Sequence, residues 1–170
     1  VISPEEIASH YIKSLLDLPG SLQVMDFANG LVQLVAVKAE GGGPLINQEI
    51  RTLREHMPHV DTRVAAIFRQ NRPIIPQGNT IIEQDDEVFF IAAKENIRSV
   101  MSEMREVDNP YKRIIIAGGG NIGARLALTI EKNYRTKLLE VNLERCELLA
   151  EYLNNTTILH ADASHREVLL

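Results

Sequence analysis

Apolar and polar positions along the chain keep two different rhythms, and the changes between them mark its parts. From Ser3 to about Asp17 the apolar residues fall at helical spacing in two adjacent sets, Ile7, Tyr11, Leu15 and Ala8, Ile12, Leu16. So wide a stripe predicts a helix with contacts on two sides. Ser3-Pro4-Glu5-Glu6 reads as its start, with Ser3 as N-cap, Pro4 at the first helical position and Glu6 closing a capping box. Pro19-Gly20 ends it.

From about Leu22 to Met104 the pattern shortens to strands and turns. Gly30 to Lys38 reads as a strand, Gly41-Gly42-Gly43-Pro44 as a flexible loop, and Asn47 to His56 as a short helix. Arg63 to Arg69 reads as a strand, Gln70-Asn71-Arg72 as a turn, and Pro73 to Pro76 as a short strand limited by its prolines. An acidic turn, Gln84-Asp85-Asp86, leads into a strand from Glu87 to Ala93, and Lys94 to Met104 closes the segment as a helix. Strands framed by helices on this scale predict a small α+β domain.

Val107-Asp108-Asn109-Pro110-Tyr111 is polar and carries a proline, as a linker does. Beyond it the pattern becomes β-α-β-α-β: a strand from Ile114 to Ala117 suited to burial on both faces, a helix from Ile122 to Lys132, a strand around Leu138, a helix from Leu143 to Leu153, and a strand from Thr157 to His160. This is one mononucleotide-binding half of a doubly wound α/β fold. A complete one continues with further strands, so the chain reads as a piece of a longer protein.

The junction of the first strand and helix carries the chemistry. Gly118-Gly119-Gly120-Asn121-Ile122-Gly123 contains G-x-G-x-x-G, in which Gly118 permits a tight turn, Gly120 lets a phosphate approach the backbone and Gly123 allows the helix to pack closely. Unpaired N–H groups at the new helix start favour an anion. Glycine turns are common, and the added weight comes from Glu140, 20 residues after Gly120 at the end of the second strand. A carboxylate there accepts from the hydroxyls of an adenosine ribose and repels a 2′-phosphate, favouring NAD(H) or an adenine nucleotide over NADP(H).

Composition narrows the classes. With 18 basic and 23 acidic residues the formal charge is −5, and no basic stripe with interleaved aromatics points to nucleic acid. There is no apolar run of the length a membrane span needs, so any membrane role passes through a partner. Cys146 is the single cysteine, excluding an internal disulfide, and reads as a packed or half-exposed helical thiol.

The order of parts resembles the tandem regulator of potassium conductance (RCK) family, in its TrkA-type potassium-uptake branch. The resemblance rests on Val1-Ile-Ser-Pro-Glu-Glu-Ile-Ala8 with Leu18-Pro-Gly20, on Arg63 to Thr80 with Asp85-Asp-Glu-Val-Phe-Phe-Ile91, and on the glycine loop, Glu140 and the helix with Glu144-Arg-Cys-Glu147. His160-Ala-Asp-Ala-Ser164 stands where the family usually has Gly-Asp-Ala-Thr, so Ala161 and Ser164 are departures. The resemblance implies a crossover helix over 1–21, a small α+β C-lobe over 22–106, a linker over 107–111 and a truncated Rossmann-like N-lobe half over 112–170. It further implies a ligand, NAD(H) or ATP/ADP, held by Gly118, Gly119, Gly120, Asn121, Ile122, Gly123, Glu140, Val141, Asn142, Arg145, Asp162 and Ala163. In that reading Gly118 to Ile122 cradle phosphates, Glu140 holds the ribose and Asp162 with Ala163 lies near the adenine. Arg145 is open to a second reading as a solvated helical arginine. The family works as a cytoplasmic homo-oligomeric ring, peripheral to the inner face of the plasma membrane, that gates a potassium-translocating membrane subunit and catalyses nothing.

Competing readings are an NAD-dependent dehydrogenase, whose fingerprint looks the same, and an assembly module with an inactive pocket. His56 and His59 lack the further ligands a metal needs. His160 reads as a core histidine ending a buried strand and His165 as a surface residue; neither has a nucleophile partner. Some RCK relatives bind cyclic dinucleotides between paired C-lobes, but no motif here demands it.

Overall fold

A computed structural model describes residues 3–165. The last residues of the expected nucleotide-binding half, 166–170, and the first two of the expected crossover helix lie outside the described residues. The chain divides into two compact units, one from Leu18 to Asn109, the other combining the residues up to Asp17 with those from Pro110 onward.

The Leu18–Asn109 unit is built on a five-stranded antiparallel sheet of β1 (Ser21–Phe27), β2 (Val32–Lys38), β3 (Thr62–Arg69), β4 (Arg72–Ile74) and β5 (Glu87–Ala93), in the order β1-β2-β5-β3-β4. Sequence pattern misses β1. Only Val24 of that strand is buried, and a bulge between Ser21 and Gln23 breaks the period of two. Ala28, Asn29 and Gly30, all at positive φ, turn it into β2. Gln70 and Asn71, also both at positive φ, make the two-residue turn between β3 and β4, where Arg69 pairs with Arg72. The fully buried Val35, Val37, Ile67, Val88 and Phe90 form the core with Ile97, Val100 and Met101 of helix α3 (Ile97–Ser102).

Two helices are shorter than their patterns. The segment read as a helix from Asn47 is helical only as α2 (Thr52–His56), because Asn47 is at positive φ and its N–H goes to Ile82 O while Ile50 and Arg51 donate to Thr80 and Gly78. The helix expected over Lys94–Met104 is a single 3₁₀ turn over Lys94–Asn96 followed by α3. The glycine run is not the flexible loop its composition suggests. Glu40 N donates to Met104 O and Leu45 N to Glu103 O, and a Cβ on Gly43 would run into the Met104 carbonyl carbon. His56 is tied to Glu103 through Nδ1, 2.6 Å from Oε2.

In the second unit β6 (Arg113–Ala117), β7 (Arg135–Glu140) and β8 (Thr156–His160) form a parallel sheet in that order, crossed by α4 (Asn121–Ile130) and α5 (Leu143–Ala150). Ile116, Leu138, Ala124, Ala127, Ile130 and Leu149 are its core. β6 is not buried on both faces as its apolar run suggests: Ile116 is buried, but Ile115, on the opposite face, is 45% exposed, and β6 lies at an edge of the described sheet.

Helix α1 (Pro4–Asp17) packs on α4, and Ile12 and Leu16 reach the core cluster. Glu6 closes no capping box; its carboxylate accepts from Arg125, 3.2 Å away, while Ser3 Oγ accepts from the Glu6 N–H. At the other end the Tyr134 hydroxyl donates to Asp17 at 2.6 Å. Burial first, and this bond second, push the phenol pKa above its ordinary value.

Candidate nucleotide site at the glycine loop

Parallel strands bring their C-terminal ends to one edge, where an open α/β sheet collects its ligands. Here that edge holds the glycine loop after β6, Glu140 at the end of β7, and Ala161–Asp162 after β8. Backbone bonds join them: Gly118 N donates to Leu139 O at 2.8 Å and Ala161 N to Glu140 O at 3.0 Å.

Each glycine has its own physical reason. Gly118 sits at φ +99°, a region costly for any residue with a Cβ. A Cβ on Gly123 would collide with the Gly118 carbonyl oxygen. Gly120 is exposed at φ −64°, and a Cβ there would meet no heavy atom within 4 Å; the space above it is open. Gly119 is buried, and its Cβ would lie 3.1 Å from a Glu140 oxygen.

The Gly119 residue is held at both polar ends. Its N–H donates to Glu140 Oε2 at 2.7 Å, and its carbonyl accepts from Arg145 Nε at 2.9 Å. Glu140 Oε1 accepts from Asn142 N at 2.9 Å, and the Asn142 side chain caps α5 by accepting from Arg145 N at 2.8 Å. One closed set of bonds therefore ties the loop to β7 and the start of α5. Helix α4, by contrast, starts at Gly120 with no side-chain cap, and its first intrahelical donor is Ala124, to Gly120 O at 2.9 Å. The N–H groups of Asn121, Ile122 and Gly123 have no partner among the described residues, and a cavity of about 500 Å³ lies before them, lined also by Pro4 and Glu5.

The N–H donors of Asn142 and then Gly119 hold the Glu140 carboxyl below its ordinary pKa. Each carboxylate oxygen has a second acceptor site, so these bonds leave Glu140 capacity for ribose hydroxyls. Because the folded pKa lies below the unfolded value, the stabilisation is complete above the ordinary carboxylate range of about 4. It is lost as pH falls through the lowered value. Between about pH 7 and about pH 3 the melting temperature of the native chain should therefore fall further than that of Glu140→Gln, whose side chain does not ionise; parallel acid profiles would show that the bonds to Gly119 and Asn142 do not stabilise the fold.

The remaining sequence candidates divide. Ile122 and Asn121 border the cavity. Val141 and Asn142 follow Glu140 at the same edge, with Val141 exposed. Asp162 is exposed and closes a turn by accepting from Ser164 N at 2.8 Å, which lowers its pKa, while Ala163 next to it is half-buried. Arg145 is half-buried, with its Nε committed to Gly119 O. His160 is exposed rather than core, its ring Nε2 2.9 Å from Val141 O. Cys146 is buried, and burial raises its thiol pKa. Sequence reasoning missed Glu5, which reaches the cavity because α1 lies on α4, a contact spanning over 100 positions with no local signal.

A glycine-loop βαβαβ sheet with an acidic residue ending its second strand, in a chain that also carries an antiparallel α+β unit, defines a mononucleotide-binding module joined to a non-Rossmann lobe. Two family models match it: the TrkA-C domain over residues 34–105 and the TrkA-N domain over residues 114–170. The chain is 59% identical over 169 residues to the Trk system potassium uptake protein TrkA of Vibrio alginolyticus and 56% identical to that of Halomonas elongata, in each case over 99% of this chain and 37% of the relative. The TrkA of Haemophilus influenzae is 43% identical over the same shares. Among solved structures, a GsuK RCK domain superposes with a TM-score of 0.54 over 97% of this chain and 34% of its own, and a GsuK channel bound to NAD with 0.54 over 99% and 29%, both at 15% identity. The chain belongs to the TrkA family and spans a little over a third of the length of the curated relatives it matches.

Proposed function

We propose that this chain is the nucleotide-sensing part of a cytoplasmic regulatory subunit of a potassium-uptake system, peripheral to the inner face of the plasma membrane. It binds NAD(H) or ATP/ADP at the glycine loop and biases a potassium-translocating membrane partner. The observation that carries this is the loop itself: Gly119 is fixed from both sides by Glu140 and Arg145, while the uncapped N–H groups of α4 face an open cavity. That is a preorganised cradle for phosphate oxygens with an acidic ribose acceptor beside it. The names of the TrkA relatives, and the GsuK channel solved with NAD bound, support the same assignment. No described helix is long and apolar enough to cross a membrane, in keeping with action through a partner.

The role is regulatory rather than catalytic. Gating requires that nucleotide bind two arrangements of the assembly with different affinities, since equal affinity shifts nothing. Residues 1–21 serve as the crossover helix, 22–106 as the C-lobe, 107–111 as the linker and 112–170 as the nucleotide-binding half. Self-association is favoured by the first apolar set of α1, where Ile7 is 60% and Tyr11 42% exposed.

Isothermal titration of the folded chain with NADH, NAD⁺, ATP, ADP and NADPH tests the assignment. Binding by at least one of the first four is expected, with NADPH weaker than NADH because Glu140 repels the 2′-phosphate. Glu140→Ala should weaken NADH binding by about 1–3 kcal/mol, the cost of losing a charged hydrogen-bond partner. A folded sample that binds none of the four overturns the sensing role.

A further inference from the structure

The opposite edge of the same sheet carries a second feature. At the N-terminal ends of β6 and β7, a depression of about 1030 Å³ is lined by Lys112, Arg113, Lys132 and Arg135. The strand β6 separates it from the glycine loop by about 13 Å, at the rise of a parallel strand. All four side chains are exposed. None of the four forms an ion pair among the described residues, although the chain has 23 acidic against 18 basic residues.

The arrangement is unfavourable as it stands. Arg113 and Arg135 are direct partners in the β6–β7 register, and like charges facing one another across strands destabilise a sheet. The acidic group beside them gives limited relief. Glu131 is only 6% exposed. Its Oε2 accepts from Asn155 N and Thr156 Oγ1, each at 2.9 Å, and its Oε1 accepts from Asn154 N at 3.4 Å, so the carboxylate is spent on holding the entry to β8. The other acid near the rim, Asp17, is occupied by Tyr134 and Lys13.

We infer that this depression is a binding site for a multiply charged phosphate group, separate from the nucleotide cradle. A single carboxylate would neutralise one of four clustered cations, whereas a condensed phosphate presents several charges in one compact group. Two adjacent guanidinium forks match phosphate oxygens in pairs, a geometry a lysine cluster alone does not supply. The source of the phosphate is either a soluble polyphosphate or the headgroups of an anionic membrane surface. Exposed Tyr111 at the rim has the amphipathic character of residues that sit at such a surface.

The test compares the native chain with Arg113→Gln/Arg135→Gln in two arms. One measures inorganic tripolyphosphate binding by titration calorimetry. The other measures co-sedimentation with vesicles of phosphatidylglycerol and phosphatidylcholine in equal parts against phosphatidylcholine alone. The double substitution should lower binding about tenfold or more in the arm that binds, and leave NADH or ATP binding at the loop unchanged; native binding there should weaken with salt. Binding of tripolyphosphate assigns a soluble ligand and binding of the anionic vesicles alone a lipid headgroup; either supports the site. Circular dichroism and melting of the variant should match or exceed the native chain, since the change relieves repulsion at exposed positions. Binding in neither arm, binding that the double substitution leaves untouched, or equal affinity for a polyglutamate peptide overturns the inference. Because loop binding is read separately, failure here is distinguishable from failure of the nucleotide assignment.

Discussion

Gly123→Ala should lower the stability of the nucleotide-binding unit by about 1–3 kcal/mol, the usual cost of forcing extra volume into a close-packed site, and should weaken NADH or ATP binding about tenfold or more. The added Cβ meets backbone: the Gly118 carbonyl oxygen inside contact distance, the Gly118 carbonyl carbon at 3.2 Å and Ile116 Cγ2 at 3.3 Å. Gly118 cannot retreat easily, because its N–H is bonded to Leu139 O and its φ of +99° is already a special conformation. Either α4 lifts from the sheet or the loop distorts, and both displace the N–H groups that face the cavity. Gly120→Ala provides the contrast. A Cβ there meets nothing within 4 Å, so thermal melting should shift little, yet the methyl group enters the space assigned to phosphate and binding should still fall. If Gly123→Ala melts like the native chain, the loop is not packed as described; if Gly120→Ala binds nucleotide normally, the phosphate does not approach that face.

The path from sequence to this site is uneven for physical reasons. Gly118 and Gly123 are legible because their constraints are local: a strand turning into a helix within a few residues needs positive φ at the turn and no side chain at the crossing. The parallel sheet follows from the spacing that a crossover helix imposes. Arg145 is not legible. Whether a helical arginine reaches solvent, ligand or backbone depends on a partner 26 positions earlier, and only the folded chain places Gly119 O within 2.9 Å of its Nε. Glu5 is hidden for the same reason, its relation to the cavity arising from the packing of α1 on α4. Strand β1 escapes because its outward side carries Leu22, Met25 and Phe27, apolar where alternation expects polar. His160 departs from its expected core position because C-terminal strand ends in such a sheet open toward the ligand edge.

Asp86→Ala should destabilise the Leu18–Asn109 unit by about 1–3 kcal/mol, the cost of removing a charged acceptor from a buried set of hydrogen bonds. The sequence presents Asp86 as one more residue of an acidic turn, but it is 1% exposed and holds Arg69 with two bonds, Nε to Oδ1 at 2.8 Å and Nη2 to Oδ2 at 2.9 Å. Asp86 Oδ2 also accepts from Glu83 N at 2.9 Å, and Arg69 donates to Ile81 O at 2.9 Å and to the Glu83 carboxylate. This set fastens the end of β3 to the turn before β5, and the bond to Asp86 is the main cause of the raised Arg69 pKa. Its strength lies less in the Coulomb attraction than in the absence of any unsatisfied buried side-chain atom among the described residues. With alanine at 86 the half-buried Arg69 guanidinium keeps Ile81 O and the Glu83 carboxylate but loses both bonds to Asp86, while Glu83 N loses its acceptor. Asp86→Asn keeps volume and one acceptor and should fall between the two. Joint replacement of Arg69 and Asp86 by methionine and leucine should recover part of the loss, since an apolar pair leaves no buried charge uncompensated. Denaturant melts of the three variants check the order. An Asp86→Ala midpoint within error of the native chain would mean that Asp86 does not hold Arg69 and Glu83 N in solution, and a double variant no better than Asp86→Ala would mean that packing rather than the lost bonds sets the cost.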